Sequence, residues 1–578
     1  MPKKDLSAKR AFMDYKKHIS EKIHIDGVSQ EEIEALIVAA PSHDMGDYAL
    51  PCFKFAKLFR KSPAVIAQEL ASAFEPDFTI KEARAVNGYL NFVVDRNGFC
   101  RETLKQILSE KQNYGSSTEG NGKTVCIDYS SINIAKPFHI GHLSTTVIGS
   151  SLYKIFNFLG YKAVGINHLG DYGTQFGKLI YAYRTWGDEE TVKKEGLKEL
   201  TRLYVKFHEE AEIHPEIEDE ARAAFKAIEQ KQPEEVALFE WFKSLTLTEI
   251  QKIYDLLNVK FDSYAGESFY NDKMQPVVDE LKEKGLLVES EGAQVVDLSA
   301  YDMPPCIILR SDGASLYATR DLAAAFYRKK TYDFYKCLYV VAYQQNLHFR
   351  QIFKVLELMG EEWAKDMVHV AYGMVSLEGG AMSTRKGKVV WLEDVINKCV
   401  EKCYDVINEK NPDLENKKDI ARQVGVGAVI FGALANNKIK DIVFSYDRVL
   451  NFDGETGPYV QYTAARCSGV LSKAEEKGVS FDDYTLPETI EPQEYELIAQ
   501  LSAFPQTVES AAEKYEPSFV TRYAVDLAKL FNKFYFDCKI LTADNADTVK
   551  FRLALCKATR ITLENALGLL GIAVPERM

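Results

Sequence analysis

The tetrapeptide His139-Ile140-Gly141-His142 lies between a short apolar run, Thr124-Val125-Cys126-Ile127, and a long helical stretch that ends at Gly160. A strand-to-helix turn at the carboxyl edge of a parallel sheet aims backbone N–H groups and the positive end of a helix at an anion. Two imidazoles three residues apart can straddle such a turn and donate to phosphate oxygens. Gly141 lacks a β-carbon, so a nucleotide can lie against the backbone there. Lys136, three residues ahead of His139, can bring a full positive charge to the same oxygens. These residue types suit nucleotide activation. A His-x-Gly-His turn alone is equally an ordinary helix cap, so the reading depends on its surroundings.

The elements that would position the turn are legible. A strand over 124–129, a helix over 142–158 and a strand over Ala163-Val164-Gly165-Ile166 form the βαβ unit of a mononucleotide-binding fold. Strands recur at 338–342 and from Val368 to Leu377. The charged, helical stretch 190–260 reads as a spacer inserted between the two halves of the sheet. The glycine-flanked, basic segment 379–388 reads as a mobile loop or as an exposed hairpin. Upstream, helical stretches and a strand over 88–94 precede a small, polar, glycine-rich linker, 113–122. From Ile420 onward helices dominate, and residues 525–535 carry apolar side chains at the spacing of a bundle core. The expected division is 1–118, 119–440 and 441–578.

Bulk properties narrow the class. The chain has 578 residues, 46% hydrophobic and 27% charged, enough for three or four globular domains. Its ten cysteines are scattered and include no Cys-x-x-Cys pair, which argues against a disulfide framework and a cysteine-rich zinc site and points to a reducing cytoplasm. Cys399 and Cys403, at i and i+4, are read as one buried helix face. No run of about 18 apolar residues is present, and the basic start of the chain lacks the apolar core of a signal peptide, so no membrane is expected. A net charge of −13 argues against a uniformly nucleic-acid-binding surface. Charge is local, however: Lys54, Lys57, Arg60 and Lys61 share one helical neighbourhood, whereas acidic residues gather between Asp188 and Glu235.

Six ordered segments carry a resemblance. They are Asp128-Tyr129-Ser130-Ser131-Ile132-Asn133 running into the histidine turn, 167–177 (Asn-His-Leu-Gly-Asp-Tyr-Gly-Thr-Gln-Phe-Gly), Leu316-Tyr317-Ala318-Thr319-Arg320-Asp321, Gln344-Gln345-Asn346-Leu347-His348, Met382-Ser383-Thr384-Arg385-Lys386-Gly387, and Gly457-Pro458-Tyr459-Val460-Gln461-Tyr462. Together they resemble class I aminoacyl-tRNA synthetases, specifically the arginyl family, over essentially the whole chain. The resemblance implies an α/β fold: a Rossmann-type parallel-sheet catalytic domain, an N-terminal α+β domain meeting the tRNA elbow, and a C-terminal all-α anticodon-binding bundle. It also implies a reaction. The carboxylate of L-arginine attacks the α-phosphorus of ATP, pyrophosphate leaves, and the 2′-hydroxyl of the terminal adenosine of tRNA(Arg) takes the arginyl group, with tRNA needed for activation.

The same resemblance implies residue roles. Lys136, His139 and His142 would be catalytic; His139, Gly141, His142, Met382, Ser383 and Lys386 would bind ATP. Asp128, Ser131, Asn133, His142, Tyr317, Asp321 and Gln345 would bind arginine, and Tyr459, Tyr462 and Arg466 tRNA. The usual Lys-Met-Ser-Lys-Ser loop here has Ala381 and Thr384 in place of its lysines, so the duty falls to Lys136, with Arg385 and Lys386 as substitutes. Asp128 stands where glutamate is frequent. Mg2+ would accompany ATP, with no structural metal; a pocket of buried polar groups needs no editing domain. The protein is expected to be a monomer. Two rival readings remain: a related nucleotidyl transferase, whose cysteinyl version would need a zinc site, and an inactive tRNA-binding paralogue.

Overall fold

The computed structural model describes residues 15–40, 45–77, 79–134, 136–313, 316–377 and 390–578. The chain divides into two compact units. One unit comprises residues 1–115, 466–507 and 526–565. Its four-stranded antiparallel sheet has the order β1-β2-β4-β3, from Val38–Ala39 (β1), Tyr48–Pro51 (β2), Ile80–Val86 (β3) and Tyr89–Val94 (β4). Helix Arg96–Glu110 packs on helix Pro492–Ser502: Phe99 meets Tyr495, and the Arg96 guanidinium lies 5.0 Å from the centre of the Tyr495 ring. The lysines and arginine of the 54–61 cluster are exposed, but Lys54 lies in a 3-10 turn, Lys57 in a four-residue helix closed by Arg60 in a left-handed conformation, and Lys61 beyond it.

The other unit comprises residues 116–465, 508–525 and 566–578. Its parallel sheet is built from Thr124–Asp128 (β5), Lys162–Ile166 (β6), Lys336–Tyr339 (β10) and Met367–His369 (β11), in the order β11-β10-β5-β6. Between β6 and β10 come three antiparallel strands, Leu287–Ser290 (β7), Ala293–Val296 (β8) and Cys306–Leu309 (β9). β5 and β10 are neighbours whose crossovers run in opposite directions, so a crevice opens beyond their carboxyl ends. Helix α1 (Leu143–Phe158) follows the histidine turn, α2 (Pro233–Leu256) ends the helical insertion, and α3 (Tyr317–Tyr332) precedes β10. Cys126, Cys337 and Tyr339 of the sheet share one core with Leu322 and Ala325 of α3 and with Ile352 and Val355. Cys399 and Cys403 are both buried on helix Leu392–Lys410, as their spacing predicted.

The apolar run 368–377 is two strands rather than one. β11 ends at His369, and Val375–Leu377 (β12) pairs instead with Ile442–Phe444 (β13), parallel and in a separate sheet. Gly373 makes the exchange sterically possible, because a β-carbon there would collide with the backbone of Lys440. No helix among the described residues is long and apolar enough to cross a membrane.

Candidate active site

The histidine turn sits at the carboxyl end of β5, opening α1. The His139 Nδ1 accepts from the Gly141 N–H at 3.1 Å, and the His142 Nδ1 accepts from the His139 N–H at 3.3 Å. With both Nδ1 atoms used as acceptors, each neutral ring carries its proton on Nε2 and can donate it outward. The rings stack with centroids 3.8 Å apart. Burial, reinforced by the charge of Lys136, holds His139 below the ordinary histidine value; burial, His139 and Lys136 hold His142 well below it. The pair therefore offers two uncharged N–H donors beside a helix N-terminus, with Lys136 as the nearby full charge, an arrangement suited to phosphate oxygens.

The segment carrying Met382, Ser383 and Lys386 lies outside the described residues. Described residues before and after it touch the histidine turn. β12 packs against the turn, Leu392 N donates to Phe138 O at 2.9 Å and Ile140 N to Val390 O at 3.2 Å.

A second cluster adjoins the turn. Asp128, the last residue of β5, is not open to solvent: its side chain is 7% exposed, accepts from Arg328 Nη2 at 2.7 Å and from Ser131 Oγ at 2.6 Å. Asp321 and Arg328, seven residues apart, share one face of α3. Asp321 is 28% exposed and lies 2.6 Å from His348 Nε2, with His168 Nε2 at 4.0 Å. Burial raises the Asp321 carboxyl, but the His348 hydrogen bond and the charges of His348, His168 and Arg328 outweigh it and hold the group below the carboxylate range. Tyr317, exposed, sets its ring 4.9 Å from His348. Gln345 is exposed on the turn after β10, and Asn133 is exposed beside Gly170.

Glu267 was absent from the sequence expectations. It is 28% exposed, 3.5 Å from Arg320, and burial, with Asp321 and Asp171 nearby, lifts its carboxyl to about 7 against the opposing charges of Arg320 and Lys136. Asp171 fixes its neighbour, accepting from Ser268 N at 2.8 Å and from Lys243 Nζ at 2.6 Å. The available signal was Gly266-Glu267-Ser268, a small-residue-flanked acid in an otherwise unassigned stretch. The site therefore combines two accessible carboxylates, Glu267 and Asp321, with a pair of neutral histidines and one lysine.

Of the residues expected at tRNA, Tyr459, Tyr462 and Arg466 all lie on helix Gly457–Glu476. Tyr462 is exposed, and Arg466 bonds Asn532 and lies 5.1 Å from the Tyr535 ring centre.

The class follows from the parallel sheet, the histidine turn at its switch point and the sequence itself: residues 103–446 match the catalytic domain of class I tRNA synthetases (R), making this a class I aminoacyl-tRNA synthetase, an ATP-using fold. Residues 13–94 match the arginyl-tRNA synthetase N-terminal domain and 460–578 the DALR anticodon-binding domain. The chain is 55% identical over 569 residues to an arginine–tRNA ligase of Clostridioides difficile and 52% identical to that of Halothermothrix orenii, in each case covering 98% of this chain and all of the relative. Among solved structures it is similar to the arginyl-tRNA synthetase of Thermus thermophilus, with a TM-score of 0.76 and 27% identity over 94% of this chain and 96% of that one. That of Plasmodium falciparum gives 0.75 and 25%, with 94% of each covered. The chain belongs to the arginyl-tRNA synthetase family, whose function is the aminoacylation of tRNA(Arg) with arginine. The rival reading of a related nucleotidyl transferase is thereby set aside.

Proposed function

We propose that the two clusters divide the first reaction step between them. Lys136, His139 and His142, with Gly141, hold the ATP phosphates, joined by Met382, Ser383 and Lys386. Arginine occupies the second cluster. A guanidinium has five donors and needs anionic, planar acceptors. Because Asp128 is committed to Arg328 and Ser131, the acceptors are Glu267 and Asp321, with Tyr317 beside them; this pair of accessible carboxylates is the observation that carries the reading. Ser131, Asn133 and Gln345 take the α-ammonium end, and Asp128 acts by orienting Ser131. The arginine carboxylate then meets the α-phosphorus of ATP, and Lys136 supplies the charge that the family loop lacks. Mg2+ travels with the phosphates. Residues 1–118 serve the tRNA elbow, 119–440 catalysis and 441–578 the anticodon, with Tyr459, Tyr462 and Arg466 on tRNA. The enzyme acts as a cytoplasmic monomer and activates arginine only with tRNA bound.

The test is ATP–pyrophosphate exchange with arginine, with and without tRNA(Arg), using lysine and cysteine as controls. Exchange confined to arginine plus tRNA is expected; exchange without tRNA would remove the tRNA requirement, and no exchange with tRNA binding retained would favour an inactive paralogue. Lys136→Ala is expected to lower the exchange kcat by about 10²- to 10³-fold, the scale of one lost transition-state donor. An effect confined to Lys386→Ala would reassign the charge. Gly170→Ala should raise the arginine KM, because its β-carbon would collide with the Asn133 side chain and stand 3.2 Å from Asn133 Cα.

A further inference from the structure

Ser130 and Ser131 are consecutive residues in the left-handed region, at φ 69° and 42°. Residues with a β-carbon enter that region at an energetic cost, so two in succession persist only where their surroundings hold them. The holding groups form a chain. Ser130 N donates to Thr145 Oγ1 at 3.0 Å, and Ser130 Oγ stands 2.9 Å from both Thr146 Oγ1 and Tyr254 OH. Tyr254 OH is 2.9 Å from Asn167 Nδ2, and Thr146 Oγ1 donates to His142 O at 2.7 Å.

The protons can be placed one by one. Thr146 has spent its proton on His142 O, so it accepts from Ser130. Ser130 in turn accepts from Tyr254, and Tyr254 accepts from the Asn167 amide. This is the order in which every hydroxyl proton has an acceptor, and it runs in one direction from Asn167 to the backbone of the second histidine. Tyr254 also acts through its ring, which meets Phe138 edge-on at 5.7 Å, while Phe138 stacks on His142 at 5.4 Å.

Tyr254 lies in the last turn of α2, the helix that ends the insertion read from sequence as a spacer. It is buried and supports the turn and the second histidine from behind. We propose that Tyr254 is a positioning residue for arginine activation: its hydroxyl holds the left-handed Ser130–Ser131 turn that presents Ser131 and Asn133 to the substrate, so the insertion contributes directly to amino-acid recognition. This rests on the assignment of Ser131 and Asn133 to the arginine pocket given above.

The test is Tyr254→Phe in the full-length enzyme, which removes the hydroxyl and keeps the ring on Phe138. In tRNA-supported exchange, the arginine KM is expected to rise about tenfold, the order of one buried hydrogen bond, with the ATP KM and kcat within about twofold of their starting values. Adding Ser130→Gly should return the arginine KM most of the way, because glycine adopts the left-handed conformation without support. A merely structural role would move both KM values and kcat together and would show no such rescue. Thr146→Val breaks the same chain from its other end and carries the same expectation if Tyr254→Phe does not fold. An unchanged arginine KM in the folded variants, or a loss that Ser130→Gly does not relieve, overturns the proposal. Ser131→Ala and Asn133→Ala separate the two failures. If they leave the arginine KM unchanged, the pocket assignment falls and this inference with it; if they raise it while Tyr254→Phe does not, this inference alone falls.

Discussion

Glu267→Gln is expected to raise the KM for arginine by about 10²- to 10³-fold, the range for truncating one partner of a desolvated charge pair. The accompanying pH behaviour is the sharper result. In the free enzyme the carboxyl titrates at about 7, raised chiefly by burial. Only the ionised form pairs with a guanidinium, so kcat/KM for arginine should fall about tenfold per pH unit below pH 7. At saturating arginine the bound cation draws the carboxyl back down, so kcat should show no such break. His139 and His142 lie below their ordinary value and add no break there. The folding sign follows from the same shift. Between 4.5, the ordinary value, and about 7 the folded protein holds a proton that the unfolded chain has lost. Stability therefore declines as pH rises through that window, and saturating arginine should abolish the decline. Initial rates from pH 5.5 to 8.5 decide the matter; a break near 7 that persists in Glu267→Gln would assign it elsewhere.

Arg328→Met is expected to destabilise the catalytic unit by about 3–5 kcal/mol, the scale for leaving one member of a buried ion pair uncompensated. The Arg328 guanidinium is 1% exposed, lies over the Tyr339 ring at 5.2 Å, and leaves Nε and Nη1 without a hydrogen-bond acceptor among the described residues. Asp128 therefore supplies most of its compensation. The reverse also holds: without Arg328, Asp128 would be a buried anion supported by Ser131 alone among the described partners. Combining Arg328→Met with Asp128→Asn should recover more than half of the loss, because removing both charges avoids the orphan. Urea unfolding followed by tryptophan fluorescence, with Trp363 against the α3 core, reads both variants. If the double variant is no more stable than the single one, the ion pair is not what Arg328 contributes.

The elements nearest the histidines were legible because their cues are local. The βαβ unit read over 124–129, 142–158 and 163–166 stands within one residue of β5, α1 and β6 at each end. A strand alternation, a turn with glycine and a helical period all lie within a few residues of one another. The run 368–377 misled for the opposite reason. Its apolar pattern is that of one strand, but the partner that draws β12 into a second sheet is β13, some 70 residues later. The contact of Tyr254 with Ser130 was illegible on similar grounds, since a tyrosine on a charged helix carries no local sign of where its hydroxyl ends.

By itself the sequence determined the class of reaction, the parallel-sheet core and the two histidines and one lysine proposed for the phosphates. These depend on residues adjacent in the chain and on backbone directions that a single turn fixes. Tertiary structure decided which of the acids stay accessible as proposed partners of a guanidinium. Asp128, Glu267 and Asp321 are alike in charge, and nothing in their spacing ranks them. Only the burial of Arg328 against Asp128 withdraws that carboxylate, and only the packing of α3 against the Glu267 segment leaves the other two accessible in one place. Availability depends on whether the partner that the fold brings to a carboxylate also buries it: Asp128 is 7% exposed, whereas Glu267 and Asp321 keep 28% each.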